Sequence, residues 1–150
     1  MKNKKIKLIF DKNYKFSGLF KNCSCIKKIN IIKFYRNDIY NISEMFSGCF
    51  SLEEINFYGF ESYKKIDMKN LFFKCTSLKK INFINFDSSN IKTLQEIFRE
   101  CISLEEINLS NFNTKNVDNM SVMFDGCILL KNINLSNFNT RKVKDMSFMF

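Results

Sequence analysis

At 150 residues with 45% hydrophobic side chains, the chain is long enough for one continuous core. The absence of Pro and the scarcity of Gly exclude collagen-like, Pro-rich and flexible-linker classes. The formal charge of +9 sits at one end: residues 1–33 carry ten Lys against one acid, Asp11, whereas residues 34–150 carry 14 basic and 14 acidic side chains. No run approaches the roughly 20 apolar residues of a membrane span, and Ile6–Phe10, interrupted by Lys7, is too short for a signal-peptide core of roughly 7–15 apolar residues.

The first 19 residues, with Ile6, Leu8 and Phe10 alternating, predict an N-terminal cap that is partly strand. From Phe20 onward the chain repeats itself. Phe20, Phe46, Phe72, Phe98, Phe124 and Phe150 recur 26 residues apart, and Cys23, Cys49, Cys75, Cys101 and Cys127 follow three residues behind. Ile29, Ile55, Ile81, Ile107 and Ile133 form another column, each followed by Asn: Asn30, Asn56, Asn82, Asn108 and Asn134. A second aromatic column runs Phe34, Phe60, Phe86, Phe112 and Phe138. Self-similarity at a fixed period marks a repeat architecture. The expected units are residues 20–45, 46–71, 72–97, 98–123 and 124–149. Phe150 ends the sequence at the phase where Phe20 opens it, so the array is expected to be cut short at its C-terminal end.

Two periodicities alternate inside each unit. In the fourth, Leu104-Glu-Glu-Ile107-Asn-Leu109 ends in strict alternation, which predicts a strand with one buried face. A turn is expected near Phe112–Thr114. Val117, Met120, Met123, Phe124 and Cys127 then share one face of a helical spacing, with Asp118 as N-cap and Gly126 as stop. The predicted fold is an α/β solenoid: a leucine-rich-repeat-like right-handed coil with one short parallel strand and one short helix or 3₁₀ segment per 26-residue repeat. One such coil buries too few side chains to offset the ordering of its backbone, so the coils must stack at about 4.8 Å spacing.

Stacking gives several columns a structural meaning. Lys27-Lys28, Glu53-Glu54, Lys79-Lys80, Glu105-Glu106 and Lys131-Asn132 alternate in sign, which opposes a slip by one coil. The Cys column is expected to be a ladder of reduced, buried thiols, since parallel in-register side chains suit a disulfide dihedral poorly. Cys25 lies outside that column and, with Cys23, is the sole Cys-x-Cys pair that a metal or redox site could use.

The order Phe-x-x-Cys-x-x-Leu-x-x-Ile-Asn-Leu/Phe-x-x-Phe, followed by Asn-Thr-x-x-Val-x-x-Met-Ser-x-Met-Phe, resembles the BspA-type leucine-rich repeat surface proteins over about residues 19–150. The resemblance implies cell-surface or secreted proteins that attach to host proteins or cells, and it transfers no catalytic residue. The missing signal segment makes the cytoplasm the alternative location.

Catalysis finds little support in the composition. The chain has no His, no Gly-rich phosphate loop and no Gly-x-Ser-x-Gly elbow, so neither an enzyme nor a cofactor is expected. Recognition of another protein is the leading expectation, through the exposed side of the sheet. There Asn30 and Ile32, Asn56 and Tyr58, Asn82 and Ile84, Asn108 and Ser110, and Asn134 and Ser136 stand in two neighbouring columns. The first three coils present an apolar strip beside the Asn, the last two a hydroxyl strip. An intracellular protein–protein scaffold is the rival reading. A third is weak attachment of residues 1–33 to a polyanion or a membrane surface, with no specific nucleic-acid recognition.

Overall fold

The computed structural model describes residues 16–32 and 39–150. The cap expected over residues 1–19 lies outside these for all but its last four residues, and those form turns. Strands β1 (Lys28–Ile32), β2 (Glu54–Phe60) and β4 (Lys80–Phe86) build a parallel three-stranded sheet. Each strand pairs with the residue 26 positions on, so that Ile29, Ile55 and Ile81 lie side by side. In the last two coils the corresponding strands shrink to β6 (Glu106–Ile107) and β7 (Asn132–Ile133), which pair with each other. A second parallel ladder joins β3 (Ile66–Asp67) to β5 (Ile91–Thr93). Single bridges extend it from Asn41 to Asp67, from Thr93 to Asn119 and from Asn119 to Asp145. The architecture is a parallel β-solenoid.

The core is built from the inner members of the repeat columns, with Phe20 half-buried and Phe150 exposed at the two ends. Phe20, Phe46, Phe72, Phe98, Phe124 and Phe150 stack ring on ring, with centroids 5.4–5.8 Å apart and planes within 17° of parallel. Phe60, Phe86 and Phe112 form a second stack, at 4.7 and 5.7 Å. Such ring pairs add about 0.5–1.5 kcal/mol each beyond the apolar area they bury. Leu52, Leu78 and Leu104, with Ile55, Met68, Met120 and Met123, fill the space between the stacks.

The helical segment expected in each coil is replaced by consecutive turns, and no helix occurs among the described residues. The reason lies in the backbone. Two columns four residues apart adopt positive φ: Gly18, Glu44, Asn70, Glu96, Val122 and Phe148 in one, and Asn22, Gly48, Lys74, Glu100 and Gly126 in the other. A left-handed residue twice per segment cannot belong to a right-handed helix. The hydrogen bonds alternate accordingly. Glu44, Phe46 and Gly48 donate their N–H groups to Lys69, Leu71 and Phe73 of the next coil, while Met45, Ser47 and Cys49 donate to carbonyls three residues back. Coil-to-coil bonding thus competes with the helix and wins.

Asp118, expected as the N-cap, instead donates its N–H to Lys92. Its neighbour Asn119 does the capping, accepting the Ser121 N–H at 2.8 Å. Asn41, Asp67, Thr93 and Asp145 accept from the second residue onward in the same way. Local side-chain acceptance of this kind opens a turn.

Candidate functional site

On the outer face of the sheet, side chains alternate with those of the core. Asn30, Asn56 and Asn82 stack there as an amide ladder: Asn56 Nδ2 donates to Asn30 Oδ1 at 2.8 Å, and Asn82 Nδ2 donates to Asn56 Oδ1. Asn56 also donates to Glu54 at 3.1 Å and is only 9% exposed. The first three Asn are therefore engaged in stacking. Beside them, Tyr58 and Ile84 face each other across β2 and β4 and are 38% and 39% exposed. Ile32 is in register with Tyr58 on β1.

The ladder stops at the third coil. Asn108 Oδ1 accepts the Ser110 N–H at 3.0 Å and the Ser110 hydroxyl at 2.7 Å, and Asn134 Oδ1 accepts the Ser136 N–H at 3.0 Å. Replacing Tyr or Ile by Ser two residues after the Asn thus converts a strand continuation into an Asn-initiated turn. That exchange accounts for the shortness of β6 and β7. The expected strip of ten side chains is accordingly two units: a laddered apolar half through Asn82 and Ile84, and a turned, hydroxyl-bearing half from Asn108 on.

Between the halves the sheet carries a seam. Glu53 and Glu54 donate to Lys27, Lys79 and Lys80 donate to Glu53, and Lys131 donates to Glu105, but among the described residues no backbone bond joins Lys79 to Glu105 or Glu106 and no strand pairing links β4 to β6. The charge column is interrupted on both sides of Lys79 and Lys80: among the described residues neither pairs with Glu53 or Glu54 of the coil before. Lys27–Glu53 and Lys28–Glu54 pair at 3.0 Å and Lys131–Glu105 at 3.2 Å, while among the described residues no ion pair crosses from Lys79 or Lys80 to Glu105 or Glu106. The Lys27 and Lys28 ammonium groups hold the Glu53 and Glu54 carboxyls below the ordinary carboxylate value, first by hydrogen bonding. Two clefts open along the seam. One of about 560 Å³ is lined by Asn82, Ile84, Phe86, Asn108, Asn111 and Phe112. The other, of about 860 Å³, lies between Lys79-Lys80 and Glu105-Glu106 and reaches Asn82, Asn108 and Asn134.

Of the ten predicted residues, Asn82, Ile84, Asn108 and Asn134 meet at these clefts, Asn30, Asn56, Tyr58, Ser110 and Ser136 line neither, and the side chain of Ile32 lies outside the described ones. Sequence reasoning read Lys79, Lys80, Glu105 and Glu106 as stacking charges and missed that they flank a gap. The available signal was the change from Ile84 to Ser110 one coil later.

In the basic segment, Lys21 pairs with Glu44, Lys27 with Glu53 and Lys28 with Glu54. The other seven Lys of residues 1–33 lie outside the described residues. Among the described residues no group of three or more His, Cys, Asp or Glu is placed to hold a metal ion.

The thiol column is continuous. Cys49, Cys75, Cys101 and Cys127 each donate S–H to the carbonyl of Phe20, Phe46, Phe72 or Phe98 in the coil before, at 3.0–3.2 Å. Burial pushes the thiols of Cys49 and Cys127 up to about 11, and those of Cys75 and Cys101 further. They are inert packing groups with a fixed acceptor.

Continuous columns and in-register ladders define a repeat protein of the parallel β-solenoid class. The family model described as "Mycoplasma protein of unknown function, DUF285" matches residues 14–106 and again residues 66–150, and the chain belongs to that family. The two matches begin 52 residues apart (66 − 14), which is two 26-residue periods. No curated protein and no solved structure matches the chain.

Proposed function

We propose that the chain is a non-catalytic recognition module that binds another protein on the outer sheet face, as its resemblance to BspA-type leucine-rich repeat surface proteins suggests. The observation that carries this reading is the pairing of Tyr58 with Ile84. Both are more than one-third exposed on adjacent strands, although the Phe stacks and the thiol-to-carbonyl bonds already hold those coils together. An aromatic and an aliphatic side chain held side by side on a rigid strand pair, next to a cleft with amide walls, suit an apolar side chain on a partner whose backbone reaches the Asn groups. Surface adhesion follows from the resemblance alone.

The test is capture from host-cell or extracellular-matrix extract with the wild-type chain and with Tyr58→Thr plus Ile84→Thr, which keeps a strand-forming side chain at both positions. Loss of the captured protein from the double variant, with its circular dichroism unchanged, supports the face. Equal capture removes it.

A second reading, an intracellular scaffold of the same build, draws on the thiol column: Cys49, Cys75 and Cys101 are buried and each donates its S–H to a Phe carbonyl of the coil before. Labelling intact cells with a membrane-impermeant reagent separates the two. A labelled native protein excludes the scaffold, and an unlabelled one excludes surface display.

A further inference from the structure

We propose that Cys23 and Cys25 are a redox-active dithiol at the first coil, which small disulfides oxidise to an intrachain Cys23–Cys25 bridge while the remaining thiols stay reduced. The two Sγ atoms stand 3.3 Å apart, so closure to a disulfide of about 2.05 Å needs an approach of little more than an ångström. Residues 23–27 belong to no strand, and β1 starts only at Lys28, so this approach leaves the sheet register in place.

Stacking supplies no reason for the second sulfur. The positions one, two and three coils on from Cys25 hold Ser51, Ser77 and Ser103, and the fourth holds Leu129. Cys25 is the exposed thiol, Cys23 and Cys127 are half-buried, and Cys49, Cys75 and Cys101 are at most 1% exposed. A disulfide reagent thus meets the pair first. The four later thiols of the column are further protected because each is bonded to a Phe carbonyl and burial opposes its ionisation.

The exchange balances without another oxidant. The Cys25 thiolate, its proton lost to water, attacks one sulfur of a disulfide RS–SR; a Cys25–S–SR bond forms and RS⁻ leaves, taking up a proton. The Cys23 thiolate then attacks the Cys25 sulfur, expelling the second RS⁻, which is protonated in turn. The net change is protein dithiol plus RSSR giving protein disulfide plus two RSH. With Cys23 in place, the mixed disulfide is short-lived.

The experiment exposes the reduced chain to oxidised glutathione, quenches with acid, alkylates the residual thiols and maps them by mass spectrometry. The expected product is a Cys23–Cys25 disulfide with no retained glutathione. The single variants Cys25→Ser and Cys23→Ser should stop at a glutathione adduct on the surviving Cys. In the double variant thiol loss should be about tenfold slower or more, because Cys49, Cys75 and Cys101 are buried and the half-buried Cys127 is bonded to the Phe98 carbonyl with its ionisation opposed by burial. Ser occupies the Cys25 position in three other coils, so Cys25→Ser is compatible with the fold. A wild-type chain that accumulates the adduct, that bridges to Cys49, or that loses thiols no faster than the double variant overturns the proposal.

Discussion

Removing the ring of Phe72 tests whether the aromatic column carries the stack. Phe72 is 0% exposed and lies between Phe46 at 5.7 Å and Phe98 at 5.8 Å, both nearly parallel, with Phe57 edge-on at 6.2 Å. Its backbone N–H is bonded to Ile97 of the next coil at 3.0 Å, so the chain cannot readily collapse into the space a truncation leaves. Phe→Ala in a packed core costs about 3–5 kcal/mol, and poor relaxation places Phe72→Ala at about 4 kcal/mol or above. Phe72→Leu restores most of the apolar volume but loses three ring pairs, a cost of about 2 kcal/mol. Phe50, 47% exposed and outside the column, serves as control, and Phe50→Ala should cost under about 1 kcal/mol. Urea unfolding followed by far-ultraviolet circular dichroism measures all three. If Phe72→Ala costs no more than Phe50→Ala, the column is a consequence of stacking and not its cause.

Three more perturbations address other parts of the structure. The thiols of Cys49 and Cys127 ionise near 11 in the folded chain against an ordinary value of 9.0, so their contribution is complete below pH 9 and falls as pH rises toward 11; the alkaline loss of urea midpoint should be shallower in Cys127→Ala, and an unchanged slope contradicts the assignment. Lys74 has φ 58° in the column where Gly48 and Gly126 stand, and its ion pair with Glu100 is long at 3.8 Å, so Lys74→Gly should stabilise by about 0.5–1 kcal/mol in thermal unfolding; a lower melting temperature refutes the strain argument. Ser110→Ile removes the hydroxyl that bonds Asn108 and copies coil three, so hydrogen exchange at residues 108–110 should slow as β6 lengthens; unchanged exchange means that Ser110 does not set the seam.

The stacking was legible because it depends on identity at a fixed interval, and Phe20 to Phe150 or Cys49 to Cys127 show that interval directly. The helix was misread for a physical reason. A face of apolar residues three and four apart is produced by a helix, and equally by successive turns joined through left-handed residues. Glu44, Glu96 and Val122 occupy those left-handed positions without the Gly that would signal them. The exposed face was legible at Tyr58 and Ile84, since alternation fixes which side chains point outward. The seam was not, because the repeat period runs through it unbroken. What changes there is whether the Asn side chain bonds the neighbouring coil, as Asn82 does, or its own backbone, as Asn108 does.

The proposed recognition face suits a fold in which stacking is carried by other columns. Register is set several times over: by the Phe stacks, by thiol-to-carbonyl bonds, by the amide ladder and by the turn bonds from each coil to the next. None of these uses positions 58, 84, 110 or 136 of the outer column to hold one coil on another. Those positions can therefore change chemistry, from Tyr and Ile to Ser, while the Phe and thiol columns run on unbroken, and the exchange shortens only the outer strands. An exposed Tyr58 beside an exposed Ile84 keeps apolar area in water that the core does not need, and burial on a partner recovers about 25 cal/mol for each Å² removed from water. The seam adds a change of shape where the apolar half ends. A partner that bridges Ile84 and Asn108 contacts both halves at once, so shifting it along the stack by one coil would exchange Ile84 for Ser110 and lose the fit.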